Sequence, residues 1–169
     1  DVTPTNAAVS AFSGSGTSYS FTLTPSAQGS FSAVVNASTF TDAAGNNNTV
    51  SNTLFYTYDT VAPTATLSST ASDPTNAAIT VDVALDEAST DFTSSDVTPT
   101  NAVVSNFSGS ATSYSFTLTP STPGTFSAVV DASTFTDAAG NSNIASNTLN
   151  YTYDTESPSI ALSSGAPEP

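Results

Sequence analysis

The side chains of this sequence able to do strongly polar chemistry are 14 carboxylates, in a chain with no Lys, Arg, His, Cys, Met or Trp. Without His, Cys or Lys there is no Ser-His-Asp or Cys-His nucleophile, no Schiff base, no zinc finger and no thiol redox site. Nucleic acid is excluded as an expected partner, because phosphate is neutralised mainly by Lys and Arg. An inward or clustered carboxylate normally needs a cation beside it, since burying an unpaired charge costs several kcal/mol. Here no cationic side chain exists, so any such cluster must be solvated, protonated or neutralised by a metal ion. An all-oxygen donor set suits Ca²⁺, which takes about 6–8 oxygens. Zinc, copper and iron are poorly served without imidazole or thiolate.

Recurrence ranks the carboxylates. The chain aligns with itself without a gap at an offset of 95 residues, with DVTPTNAAVSAFSGSGTSYSFTLTP from Asp1 returning as DVTPTNAVVSNFSGSATSYSFTLTP from Asp96. FSAVVNASTFTDAAGN from Phe31 returns as FSAVVDASTFTDAAGN from Phe126, and SPSIALSSGAPEP from Ser157 parallels APTATLSSTASDP from Ala62. The chain therefore reads as the C-terminal part of one repeat (1–59), a complete repeat (60–154) and the start of a third (155–169), a window from a longer array. The acidic positions that recur are Asp1/Asp96, Asp42/Asp137, Asp59/Asp154 and Asp73/Glu168.

Asp59 and Asp154 end a last strand four residues before Pro63 and Pro158, which places them at module junctions. Asp42 and Asp137 sit in TDAAGN, where Gly45 and Gly140 permit a tight turn and Asn46 and Asn141 add oxygens. Calcium is expected at or beside the junction, on Asp59 or Asp154, Asp42 or Asp137, Glu87 and Asp73, with Asn46 and Asn141 as neighbours. The competing reading is local: aspartates in turns cap their own backbone amides, which applies to Asp73, Asp96 and Asp137. Asp82 and Asp91 read as solvated faces or edge protection.

The elements that position these residues are strands. Apolar residues come in short alternating runs, and the 8 Gly and 10 Pro fall mostly between them, as in an all-β chain with many turns. In the complete repeat the strands read TATLSST (64–70), ITVDVAL (79–85), a looser edge segment DFTSSDVTPTN (91–101), AVVSNFS (102–108), SYSFTLT (113–119), TFSAVVDAS (125–133) and TLNYTYD (148–154). Pro99 excludes its segment from a central position. Ile79, Val81, Val83 and Leu85 share one face, and continuing that alternation turns Glu87 inward and Asp86 outward. About seven short strands in a 95-residue repeat fit tandem immunoglobulin-like β-sandwich modules. Tyr56, Tyr58, Tyr151 and Tyr153 are expected in the core and at its rim. No apolar run approaches the roughly 20 residues of a membrane span, so no membrane insertion is expected in this segment, and no signal peptide is read in it.

The runs DTVAPTATLSSTASDPTN (59–76), DEAS (86–89), VSNFSGSATSYSFTLTP (104–120), TDAAGNSN (136–143) and NTLNYTYDT (147–155) together resemble the bacterial Ig-like tandem repeats of large secreted adhesins and other cell-surface proteins. The resemblance implies sandwich modules, an extracellular or bacterial cell-surface location, and calcium at or near the junctions. The related element usually ends in Ser-Glu where this chain has Leu85-Asp86-Glu87, a departure that bears on Asp86. The leading functional expectation is a structural one: an extender or stalk repeat of an adhesin or surface fibre, stiffened by calcium. Its partners would be neighbouring repeats, with lateral or end-to-end fibre contacts. The ungapped period leaves no enlarged loop for a ligand, and like-charged modules repel laterally. The alternatives are a self-assembling extracellular filament built by strand exchange, and a glycan- or surface-binding module. An enzyme is not expected, because no cleft is legible around any carboxylate pair.

Overall fold

The structure, a computed structural model, describes residues 1–165. Glu168, the repeat partner of Asp73, lies outside the described residues. The chain divides into two compact units, Asp1–Val61 and Ala62 onward.

The first unit contains β1 (Val2–Thr5), β2 (Ala7–Ser15), β3 (Ser18–Pro25), β4 (Gly29–Val35) and β5 (Leu54–Tyr58). They form a three-stranded antiparallel sheet in the order β1–β4–β5 and a two-stranded ribbon β2–β3. The second unit contains β6 (Ala65–Ser68), β7 (Ile79–Ser89), a 3₁₀ turn (Ser94–Asp96), β8 (Val97–Thr100), β9 (Ala102–Pro120), β10 (Gly124–Val130) and β11 (Leu149–Tyr153). Its sheets run β6–β7–β9 and β11–β10–β8, again antiparallel.

β9 doubles back on itself. Asn106 Nδ2 donates to Thr117 Oγ1 at 3.2 Å, and the Ser108 and Ser115 hydroxyls lie 3.4 Å apart. Gly109 makes the close passage possible: its φ is +136°, and a Cβ there would collide with the Ser113 carbonyl oxygen and the Tyr114 backbone. With its two arms counted separately, the second unit has the seven strands of an immunoglobulin-like sandwich. β8, which carries Pro99, pairs only with β10 and is an edge strand, as its proline requires.

The two sheets close over one core because inward residues alternate on every strand that faces it. Ile79, Val81, Val83 and Leu85 of β7 are buried, as are Phe116 and Leu118 of β9 and Phe126, Ala128 and Val130 of β10. Phe92 stands edge-on to Tyr114 and to Phe135, with ring centroids 5.0 Å apart in both pairs. The Tyr114 hydroxyl donates to the Ser89 carbonyl at 3.1 Å, and that of Tyr151 to the Ser69 carbonyl at 3.2 Å. Tyr151 is buried and Tyr153 half-buried, as their alternation with Asn150 and Thr152 indicates.

Several strand limits differ from the sequence reading, the 91–101 segment narrowing to β8 among them, and three have a local reason. β6 is shorter than 64–70, because the Ser69 hydroxyl donates to the Thr80 carbonyl and draws the chain off the edge. β7 continues through Ser89, since Asp86-Glu87-Ala88-Ser89 keeps the alternation. β10 stops at Val130, and Ser133, with φ +63°, belongs to the turn that follows.

In the first unit the same alternation leaves its apolar face open. Tyr19, Phe40 and Tyr56 are 58%, 53% and 56% exposed, whereas their repeat equivalents Tyr114, Phe135 and Tyr151 are 7%, 1% and 9% exposed. The first unit contains no counterparts of β6 and β7, which lie over this face in the second. Tyr56 and Tyr58 therefore depart from the expected core positions for want of a covering sheet. The same contrast sets the cost of a truncation. Phe126→Ala is expected to destabilise the second unit by about 3–5 kcal/mol. Phe31→Ala, at the half-buried equivalent, is expected to cost the first unit less than half as much, with both read by urea denaturation followed through tyrosine fluorescence.

Candidate functional site

The loop after β10 is built around two side chains. Asn143, 2% exposed, accepts the Thr134 and Phe135 amide N–H groups on its Oδ1 at 2.8 and 3.0 Å. Its Nδ2 donates to the Asp131 and Ile144 carbonyls at 2.8 and 2.9 Å. These bonds hold Phe135 in the core and hand the chain on to Thr136–Asn141. There Asp137 folds the loop around its own carboxylate: Oδ1 accepts the Ala139 and Asn141 amides at 2.8 and 2.9 Å, and Oδ2 accepts the Asn141 side-chain amide at 2.8 Å. Asp42 does the same in the first unit, with Ala44, Asn46 and the Asn46 side chain, each at 2.9 Å.

Asp137 is buried, and a carboxylate oxygen of Glu87 lies within 4.8 Å of one of its own. Glu87 is half-buried and continues the inward face of β7, while Asp86 turns outward. Asp86 fastens the start of the unit to β7, because its two oxygens accept the Thr64 amide at 2.6 Å and the Thr64 hydroxyl at 2.7 Å.

Among the sequence candidates, the second unit thus brings Glu87 and Asp137 together, with Asn141 bonded to Asp137. The others are spread out. Asp73 accepts the Thr152 amide at 2.8 Å beside β11. Asp154 follows β11 and accepts the Glu156 amide at 2.8 Å. It lines a polar cleft with Ser72, Thr75, Asn76 and Glu156. In the first unit Asp59 follows β5, where its Oδ1 accepts the Gln28 side-chain amide at 2.6 Å and the Val61 amide at 3.0 Å. Asp42 remains with Asn46. Local capping, the competing reading for aspartates in turns, describes Asp96 and Asp137, whereas Asp73 reaches across to the Thr152 amide. Asp96 accepts the Thr93 amide and hydroxyl at 2.6 and 3.0 Å at the 3₁₀ turn.

Two organising residues escaped the sequence reading. Asp91, read there as a solvated face, accepts the Thr136 amide on both oxygens, at 3.0 and 3.2 Å, and the Thr136 hydroxyl at 2.8 Å. With the Ser89 hydroxyl at 2.7 Å, these bonds clip the Asp137 loop to the end of β7. No repeat comparison could have flagged Asp91, because its counterpart would precede Asp1. Asn143 did carry a signal: it recurs as Asn48, with the same amide contacts to Thr39 and Phe40 at 2.8 and 3.0 Å.

These neutral donors set the acidity of the site. Burial pushes the Asp137 carboxyl up, but the side-chain and backbone amides of Asn141 and the amides of Ala139 and Gly140 outweigh it and hold it below its ordinary value. Burial likewise opposes the Thr64 bonds at Asp86 and loses to them. At Asp91 the Thr136 amide is the largest influence and also lowers the value. Burial and the Asp91 charge push the Tyr114 hydroxyl up.

A depressed folded-state value means that each contribution is fully present above the unfolded carboxylate value near 3.9 and is lost as pH falls through the lower folded one. The melting temperature is therefore expected to decline below about pH 4. Acid also relieves repulsion among the carboxylates, so the difference between parent and variant isolates the clip. Asp91→Asn should lower the melting temperature at pH 7 and flatten the decline, as read by circular dichroism from pH 7 to pH 2.

The family described as bacterial Ig-like domain matches residues 1–58 and again residues 59–153. No curated protein and no solved structure matches the chain. Domains of this family occur in surface proteins and are typically non-enzymatic structural modules. Among the described residues, no helix is long and apolar enough to cross a membrane. With two successive matches that together span most of its length, the chain belongs to the bacterial Ig-like domain family.

Proposed function

We propose that these modules are extender repeats of a bacterial extracellular adhesin or surface fibre, stiffened by calcium. The observation that carries the reading is the ungapped recurrence of one sandwich design at 95 residues, with the loop and strand chemistry retained between copies and no loop enlarged for a ligand. A binding or catalytic module would need one copy to diverge. Repetition without divergence serves length.

Calcium fits the donor set. Glu87 and Asp137 bring carboxylate oxygens within 4.8 Å, Asn141 adds an amide at the same loop, and no cationic side chain in the chain can neutralise them. An ionised carboxylate offers about four acceptor positions, and the three loop bonds of Asp137 leave it capacity for a cation. Glu87 and Asp137 would hold the ion. Asp59 and Asp154 are assigned as calcium ligands on their sequence positions alone, each directly before a linker. Asp42 has no counterpart of Glu87 within residues 1–61, and Asp73 is given its clamp on β11 alone. The ion would supply positive charge that cross-links carboxylates from separate segments, and the like charge of the modules would keep neighbouring molecules apart.

Thermal unfolding of the 169-residue chain in millimolar Ca²⁺ and in excess EDTA tests the reading. At 100 times its Kd, one bound ion stabilises by about 2.7 kcal/mol, so the melting temperature should fall by several degrees on chelation. Glu87→Gln with Asp137→Asn should abolish the difference, while Asp73→Asn should preserve it. Equal melting temperatures in calcium and EDTA for the parent would overturn the calcium assignment.

A further inference from the structure

In the second unit the first and last segments run side by side. The chain enters the unit at Ala62 and leaves β11 at Asp154. Between these points a series of hydrogen bonds links residues 63–75 to residues 144–154, in ascending order on both sides. The Ile144 amide donates to the Pro63 carbonyl at 3.1 Å. Asn147 then takes hold of Leu67, its Oδ1 accepting the Leu67 amide at 2.8 Å and its Nδ2 donating to the Leu67 carbonyl at 2.9 Å. Next the Tyr151 hydroxyl donates to the Ser69 carbonyl, and the Thr152 amide to Asp73 Oδ1 at 2.8 Å. At the far end the Thr75 amide donates to the Thr152 carbonyl and the Asp154 amide to the Thr75 carbonyl, both at 2.9 Å, a parallel bridge between Thr75 and Tyr153. β6 belongs to one sheet and β11 to the other, so this seam closes the sandwich along one side. Much of it is side chain. Asn147 lies outside any strand, and its amide stands where the peptide group of a neighbouring strand would.

We infer that this seam is a mechanical clamp, which lets the unit carry tension along the chain without unfolding. The rungs ascend together, so the point of entry lies beside the first rung and the point of exit beside the last. Tension between Ala62 and Asp154 draws residues 63–75 back toward their start and residues 144–154 forward toward their end. Every rung is then strained along the seam at once, and none yields before the others share the strain. Pulled apart from one end, the same rungs are strained one after another. Forced unfolding is governed by the unfolding rate rather than by equilibrium stability, so the direction of pulling decides the force. Asn147 and Asp73 are the side chains on which the clamp depends. Leu67 is buried, and without Asn147 its amide and carbonyl lose these bonds where water does not replace them. Asp73 supplies the Thr152 rung. None of these rungs involves Glu87 or Asp137, and Asp154 contributes its backbone amide. The inference concerns the strength of a single unit, goes beyond the extender reading and needs no calcium.

The test is single-molecule force spectroscopy of the 169-residue chain through cysteine-linked handles, which attach uniquely because the chain has no cysteine of its own. Handles at Val61→Cys and Thr155→Cys strain the rungs together, and handles at Val61→Cys and Ala145→Cys strain them from one end. All three positions are exposed. Both versions are pulled in EDTA at one speed, and each event is identified by the length of chain released. The first geometry is expected to need at least about twice the unfolding force of the second. Asn147→Ala and Asp73→Ala should each lower that ratio. Leu118→Ala, a core truncation on β9 that touches no rung, should lower both forces and leave the ratio in place. Equal forces in the two geometries, a ratio unchanged by Asn147→Ala or by Asp73→Ala, or a ratio that falls as far with Leu118→Ala would each overturn the inference. The parent chain in two geometries decides the matter even where a variant does not fold. Equal melting temperatures in calcium and EDTA, which overturn the calcium assignment, leave this result untouched.

Discussion

Every ionised carboxylate in this chain has to be accommodated without a cationic side chain, and the fold depends on how that is done. The answer is neutral donors placed where segments must be fastened. Thr64 delivers an amide and a hydroxyl to Asp86, Thr136 delivers the same pair to Asp91, and Thr93 delivers it to Asp96. In each case one residue supplies both donors, so that a backbone position and a side-chain rotamer are fixed together. No buried side-chain polar atom among the described residues lacks a hydrogen-bond partner. The aspartates thus act as clips between consecutive segments. The abundance of threonine acquires a structural use beyond its preference for strands.

One of these clips, Asp91 to Thr136, acts on the Asp137 loop. Asn143 holds the loop's base and Phe135 plugs the core beneath it, while Asp91 ties it to the end of β7. Asp137 closes its crown. Glu87 arrives from β7, whose alternation fixes the direction of its side chain. The proximity of Glu87 and Asp137 is therefore a product of core packing: the residues that fill the sandwich decide where the two carboxylates stand. An acidic pair held this way has little freedom to separate and relieve its repulsion, which is the condition under which a divalent cation is favoured.

Much of this was legible in the amino-acid sequence. The alternation of β7, the edge role forced on β8 by Pro99 and the inward Tyr151 follow from period and proline chemistry alone. So does the opposite facing of Asp86 and Glu87. What the sequence could not supply was long-range: that Asp91 reaches across 45 residues to Thr136, or that Asp86 reaches back to Thr64. Such contacts depend on sheet packing and leave no local pattern. Asn143 lay between these cases, since its recurrence as Asn48 was visible but its burial was not. The exposed tyrosines of the first unit show the limit of reading faces without partners. Tyr56 has the alternation of a core residue and, without a covering sheet, the exposure of a surface one.

The threonine clips carry a consequence for the conditions this protein tolerates. Ion pairs weaken as salt screens them, and a fold fastened by Lys–Asp contacts loses part of its fastening in brine. Here the fastenings are short charge–dipole contacts to amides and hydroxyls, and the long-range electrostatics among the side chains is purely repulsive. Added electrolyte therefore has mostly repulsion to screen. The same replacement of cations by hydroxyls that organises the loops makes the modules suited to seawater-like ionic strength, where their mutual repulsion shortens in range and their internal clips persist.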